Sequence, residues 1–216
     1  MKYLTEKIEF PPIESANEEG LLAVGGDLSV ARLLFAYQNG IFPWFDDDRL
    51  ILWWSPDPRM VLFPNELKIS KSMKKVLRDN TFKITVNTQF NEVIEQCALA
   101  KRNGQAGTWI TKDMQKAYGE LHKKGVAKSY EVWQGQELVA GIYGVDMGSV
   151  FCGESMFSKV ANASKFGFIK MVQELQQQEY KLIDCQVYTQ HLESLGAREV
   201  SREDFLEVLK ANKTMN

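Results

Sequence analysis

Between Ala163 and about Gln178 apolar side chains recur at helical spacing, with Phe168, Met171 and Leu175 at i, i+3 and i+7. That stripe predicts an amphipathic helix with one buried face. Just before it the period shortens to two. Ser129–Trp133, Glu137–Val145 and Ser149–Gly153 read as three strands joined at Gly135-Gln136 and near Met147-Gly148, an antiparallel meander. After the helix, Lys181–Val187 alternates again, placing Leu182, Asp184 and Gln186 on one face and Ile183, Cys185 and Val187 on the other. Upstream, Ser29 is positioned to cap a helix over Val30–Gln38 that Asn39-Gly40 ends, and Ser70 to cap another through about Arg78. Phe82–Val86 reads as a strand. Asn91–Lys101 and Lys112–Lys123 read as helices around a loop at Asn103–Trp109, and a short helix near His191–Leu195 precedes a C-terminal helix from about Arg202.

The first 58 residues follow no such rhythm. Pro11, Pro12, Pro43, Pro56 and Pro58 interrupt them, Gly25-Gly26 makes a turn, and Asp46–Asp48 an acidic one. Three of the five tryptophans, Trp44, Trp53 and Trp54, crowd into one short stretch. The pattern therefore predicts an α+β chain in two parts. A small irregular N-terminal domain would occupy residues 1–58. A second domain, with a mixed, largely antiparallel sheet and flanking helices, would occupy residues 59–216. With 216 residues, 44% of them hydrophobic, there is ample material for such a core.

Charge changes this picture only when resolved along the chain. The total of 26 basic and 28 acidic side chains argues against a uniformly cationic nucleic-acid binder, yet residues 68–128 alone hold 13 basic and 5 acidic ones. That segment carries +8 and the remainder −10, so a local cationic surface is expected. Lys71, Lys74, Lys75 and Arg78 fall on one helical face within it, as a solvated surface or as a phosphate-binding strip. Cys97, Cys152 and Cys185 make an odd count without metal-ligand spacing, and only His122 and His191 are available beside them. Neither a disulfide scaffold nor a metal site is expected. Glu6 and Glu9 break the N-terminal segment where a signal peptide needs an apolar run, so a cytoplasmic protein without membrane association is expected.

Several residues have both a structural and a functional reading. Trp44 and Trp109, in polar loops, suit a core or lid, or stacking on a base. Asp184 and Gln186 on one strand face suit a buried hydrogen-bonded pair or a site at the sheet surface. Glu154, amid apolar neighbours, suits a partnered structural carboxylate. The Phe168, Met171 and Leu175 stripe suits core, although flexible Met171 and Met156 would also fit a pocket taking several apolar shapes.

Taken in order, a set of motifs resembles one family. The motifs are Gly20-Leu-Leu-Ala-Val-Gly-Gly-Asp-Leu-Ser29, Gly40-Ile-Phe-Pro-Trp-Phe45, Trp53-Trp-Ser-Pro-Asp-Pro-Arg59, Gly107-Thr-Trp-Ile110, Gly153-Glu-Ser-Met-Phe-Ser158, Leu182-Ile-Asp-Cys-Gln186 and His191-Leu-Glu-Ser-Leu-Gly-Ala197. Over residues 10–205 they resemble the leucyl/phenylalanyl-tRNA–protein transferases. The resemblance implies a second domain of the acetyltransferase (GNAT) type. It also implies transfer of Leu or Phe, less readily Met, from aminoacyl-tRNA to the α-amino group of proteins beginning with Arg or Lys, marking them for degradation. No cofactor is implied, and a monomer is the default expectation. The catalytic residues implied are Gln186, Asp184 and Glu154, with Gln186 accepting a hydrogen bond from the attacking amine and Asp184 favouring positive charge nearby. Tyr37, Trp44, Trp109 and Tyr118 would surround the terminal adenosine. Ile142, Glu154, Met156, Phe168, Met171, Leu175 and Ile183 would line the amino-acid pocket. Ile183 conflicts with simple alternation unless its strand bulges. Lys71, Lys74, Lys75 and Arg78 would then meet tRNA phosphates.

Two other readings compete. An acyl-CoA-dependent N-acetyltransferase would share the fold, but the Gln/Arg-x-x-Gly-x-Gly/Ala pyrophosphate loop is not found. A non-catalytic RNA-binding module would use the basic helix and leave Asp184 and Gln186 without a purpose.

Overall fold

Short strands and capped helices alternate through the computed structural model, which describes residues 2–45, 49–100 and 108–213. In chain order they are β1 (Lys2–Leu4), β2 (Leu21–Gly25), α1 (Val30–Gln38), β3 (Phe42–Pro43), β4 (Leu52–Trp54), β5 (Arg59–Leu62), α2 (Lys71–Arg78) and β6 (Lys83–Val86). There follow α3 (Phe90–Leu99), α4 (Lys112–Lys123), β7 (Ala127–Gln134), β8 (Glu137–Asp146), β9 (Val150–Ser158) and α5 (Ala163–Gln177). The chain closes with β10 (Leu182–Gln186), α6 (Gln190–Ser194), β11 (Arg198–Val200) and α7 (Arg202–Lys213). The expected acidic turn Asp46–Asp48, Lys101 at the end of the third predicted helix and residues 103–107 of the loop after it lie outside the described residues.

The caps work as their residue types dictate. Ser29, Ser70 and Thr111 each accept a hydrogen bond from the third residue of the following helix, at Arg32, Met73 and Met114. The N-terminal stretch, expected to be irregular, carries a four-stranded sheet in the order β1-β2-β4-β3. Its strands are two to five residues long, too short for alternation to show.

A seven-stranded sheet runs β11-β5-β10-β9-β8-β7-β6. β9 and β10 are parallel, linked through α5, and every other pair is antiparallel. Helices α2 and α5 cover one face, burying Met73, Phe166, Phe168 and Val172 against Tyr130, Val132 and Ile142. The other face packs on α1, α3, α4 and α7, and the same apolar cluster takes in Trp53 of the small sheet. α5 lies close to the sheet because residue 167 is glycine: a Cβ there would come within 2.6 Å of the Val132 side chain. Gly40 combines a φ of +72° with a close approach of α7, whose Leu206 side chain would be 2.8 Å from an added Cβ.

Candidate functional site

β9 and β10 stay paired only from Leu182↔Val150 to Asp184↔Cys152. Beyond that point β10 ends at Gln186 while β9 runs on to Ser158, five residues past Gly153, where its sequence pattern ended it. Each strand also carries a bulge. On β9 the register steps from Gly144↔Gly153 to Tyr143↔Ser155, leaving Glu154 as the extra residue. On β10 it steps from Asp184↔Val61 to Gln186↔Met60, leaving Cys185. Bulges bend and twist a strand, and here the two strands part around a cavity of about 400 Å³, within the usual size of a small-ligand site.

Ile142, Met156, Phe168, Met171 and Ile183 give the cavity its apolar wall. Phe42, Pro43, Trp44 and Trp109 reach it from the small sheet and the segment before α4, and Val187, Thr189, His191 and Leu192 from the β10–α6 turn. Ile183 and Asp184, on opposite faces of β10, border one space because that space cuts into the sheet where the strands separate. Of the residues expected around the amino-acid pocket, Leu175 is the exception. It is fully buried under the sheet and does not border the cavity, standing two turns along α5 from Phe168.

The polar side of the cavity is a network around Glu154. Its Oε1 accepts hydrogen bonds from Tyr37 Oη at 2.7 Å and Gln186 Nε2 at 2.8 Å, and its Oε2 from Tyr118 Oη at 3.0 Å. The two tyrosine hydroxyls also lie next to each other, and with both protons given to Glu154 neither has one left for its neighbour. Burial pushes the Glu154 carboxyl up to about 7, while the tyrosine and glutamine hydrogen bonds hold it lower than burial alone would. Burial also raises both phenols well above their ordinary range, so they act as neutral donors. Tyr37 and Tyr118, expected to surround an adenosine, stand behind Glu154 at 2% and 0% exposure. Neither residue borders the cavity, and both hydroxyls are given to Glu154. Trp44, 37% exposed, and the half-buried Trp109 do border the cavity.

Asp184 is equally committed. Its Oδ1 accepts from Arg59 Nε at 2.8 Å and from the backbone N–H of Gln186 at 2.9 Å, and its Oδ2 accepts from Arg59 Nη2 at 2.7 Å. Such a two-pronged pair is strong and fixed in direction. The positive charge beside Asp184 in this structure is that of Arg59. Arg59 is itself held by the Gly40 carbonyl at 3.2 Å and lies between the rings of Phe42 and Phe205, 4.8 and 4.6 Å from their centroids. The sequence pattern assigned Arg59 no role. Its signal was there in Arg59-Met60-Val61-Leu62, one cation opening a short apolar run, and in Asp184, one acid inside another; two such charges need each other.

Gln186 adopts a left-handed backbone, φ +64°, at the end of the bulge. With its amide nitrogen donated to Glu154, its carbonyl oxygen is the acceptor it can offer to the cavity it lines. Burial, helped by Lys165, lowers the pKa of the nearby His191, which leaves that ring neutral at neutral pH. Lys71, Lys74, Lys75 and Arg78 are all exposed on α2, whose Met73 is buried against the α5 layer. Among the described residues no His, Cys, Asp and Glu group is arranged to hold a metal ion, and no helix is long and apolar enough to cross a membrane.

The sequence family described as leucyl/phenylalanyl-tRNA protein transferase matches residues 61–210, and the family described as its N-terminal domain matches residues 26–57. The class is thus that of the aminoacyltransferases. Over 211 residues the chain is 59% identical to the leucyl/phenylalanyl-tRNA–protein transferase of Flavobacterium johnsoniae, covering 98% of this chain and 100% of that one. The corresponding figures for the Christiangramia forsetii protein are 55%, 97% and 100%, and for that of Pseudomonas aeruginosa 54%, 94% and 90%. The chain belongs to the leucyl/phenylalanyl-tRNA protein transferase family. Among solved structures, it is similar to a GCN5-related N-acetyltransferase from Kribbella flavida, with a TM-score of 0.41, 8% identity and coverage of 83% of this chain and 64% of that one. The structure of L-PGS from Bacillus licheniformis is similar at a TM-score of 0.41 and 12% identity, covering 87% of this chain and 64% of that one.

Proposed function

We propose that the protein moves Leu or Phe, and less readily Met, from the 3′ end of aminoacyl-tRNA to the α-amino group of proteins that begin with Arg or Lys. The product would be marked for N-degron-dependent degradation, in the cytoplasm, by a monomeric enzyme that needs no cofactor. One observation carries the reading: an apolar cavity of about 400 Å³ has the Glu154–Gln186 pair on its wall. An apolar recess distinguishes side chains by only about 1–3 kcal/mol per methylene, which suits a site accepting both Leu and Phe.

The chemistry is aminolysis of an ester. The amine nitrogen bonds to the acyl carbon, the bond from that carbon to the ribose oxygen breaks, the amine loses a proton and the ribose oxygen gains one. An α-amine has a pKa of about 8, so a useful fraction is neutral near pH 7 and the protein's main task is orientation. Gln186 would hold the amine through its carbonyl oxygen. Glu154, with a carboxyl near 7, would stabilise the positive charge that develops on nitrogen. Asp184 acts through others: it fixes the Gln186 backbone and is fixed by Arg59. Trp44 and Trp109 would stack the terminal adenosine, and Lys71, Lys74, Lys75 and Arg78 would meet phosphates. In this reading residues 1–58 form the smaller domain and residues 59–216 carry the transfer.

The test supplies labelled leucyl-tRNA and an Arg-starting peptide, with acetyl-CoA as donor in a parallel reaction. Leucylated peptide is the expected product; modification by acetyl-CoA alone would overturn the proposal in favour of an N-acetyltransferase.

A further inference from the structure

Past Gln186 the chain turns outward. Val187 lines the cavity yet is 39% exposed, which marks it as part of the mouth, and Tyr188 beside it is 52% exposed. The Tyr188 ring has a fixed attachment, since its hydroxyl donates to Glu193 Oε2 at 2.8 Å. Glu199 approaches from the far side of β5. It pairs with Met60 on one edge of that strand as Gln186 does on the other, so Glu199 and Gln186 stand about 10 Å apart, two strand spacings. Both Glu193 and Glu199 are exposed. Through the hydrogen bond from Tyr188 to Glu193, and the negative charge of both, the phenol pKa is raised.

Beside this mouth, next to the lining residues Val187 and Thr189, stands an aromatic ring flanked by negative charge, the opposite sign from α2. A phosphate backbone is repelled there, and an ammonium or guanidinium group is attracted to the ring and to the carboxylates. We propose that Tyr188, with Glu193 and Glu199, receives the cationic first side chain of the acceptor polypeptide. The inference rests on the transferase reading and assigns the acceptor's specificity within it. The distances suit this occupant. A chain advances at most about 3.5 Å per residue, so the Tyr188 Cα stands no more than roughly 7 Å from that of Gln186, a span comparable to the length of a Lys or Arg side chain. A neutral side chain of the same length would gain neither attraction.

The test measures steady-state transfer from leucyl-tRNA to two peptides that differ only in an N-terminal Arg or its neutral isostere citrulline. Tyr188→Ala and Glu193→Gln are expected to raise KM for the Arg peptide roughly 3- to 30-fold, the range of a cation held by a ring or a carboxylate. KM for leucyl-tRNA should stay within about twofold, and the preference for Arg over citrulline should shrink by the same factor as KM rises. Tyr188→Phe, which keeps the ring, should retain most of that preference. Unchanged peptide KM in both variants, with the unaltered chain still preferring Arg, overturns this inference alone, as does a changed oligomeric state with peptide KM intact. No transfer by the unaltered chain overturns the transferase reading and this inference with it.

Discussion

Gln186→Ala is expected to lower the single-turnover rate of leucyl transfer roughly 10²- to 10³-fold, the usual loss when one preorganised hydrogen-bonding group is removed from a reacting centre. tRNA affinity should remain within about twofold, because the proposed tRNA contacts, the cations of α2 and the tryptophans Trp44 and Trp109, are untouched. The residue is well placed for so large an effect. Its backbone N–H is tied to Asp184, its side-chain nitrogen to Glu154, and a bulge turns it toward the cavity, so its carbonyl oxygen has little freedom. Removing it also takes a donor from Glu154, which burial already holds near 7, and the carboxyl should rise further. Rapid-quench transfer of labelled leucine, beside filter binding of the same tRNA, separates the two quantities. A wild-type rate in the variant would remove Gln186 from the reaction.

The second large effect is on stability. Arg59→Ala leaves the Asp184 carboxylate buried without its cation, in a pair whose side chains are both 1% exposed. Breaking such a pair from one side costs about 3–5 kcal/mol. For a chain of this size each kcal/mol lowers Tm by about 2–4 °C, so a fall of roughly 6–20 °C is expected in a thermal melt. Arg59 also bridges Phe42, Phe205 and the Gly40 carbonyl, so the loss loosens α7 against the small sheet. The double variant Arg59→Met, Asp184→Leu should recover part of the stability, since no charge is then stranded, and little of the activity. A melt within about 2 °C of the unaltered protein for Arg59→Ala would show that Asp184 finds another partner.

Much of this was legible in residue order because the elements involved are long or capped. The helix Lys112–Lys123 has the bounds its periodicity predicts, and the meander strands carry enough residues for a period of two to show. The small sheet was not legible, since two- and three-residue strands cannot display a period. Nor was the cavity, which depends on two bulges facing each other. A bulge adds one residue that nothing in local composition flags, and Ile183 and Gln186 border one space although strict alternation puts them on opposite faces of β10. Tyr37 and Tyr118 illustrate the same limit. Their types suit stacking, and only tertiary packing shows their rings closed in and their hydroxyls spent on Glu154. Arg59 and Asp184, 125 positions apart in the chain, could be matched only as two buried charges each in want of a partner.

The central claim is that the recess between β9 and β10 takes the acyl end of aminoacyl-tRNA. Its methionines report on it directly: Met156 and Met171 line the cavity, whereas Met73 and Met114 are buried elsewhere. With methyl-labelled methionine, titration of a non-hydrolysable amide analogue of 3′-leucyl-adenosine should shift the Met156 and Met171 signals together, with one affinity, and leave Met73 and Met114 in place. Shifts produced by acetyl-CoA and not by the leucyl analogue, or binding of the analogue with Met156 and Met171 unmoved, would contradict the account.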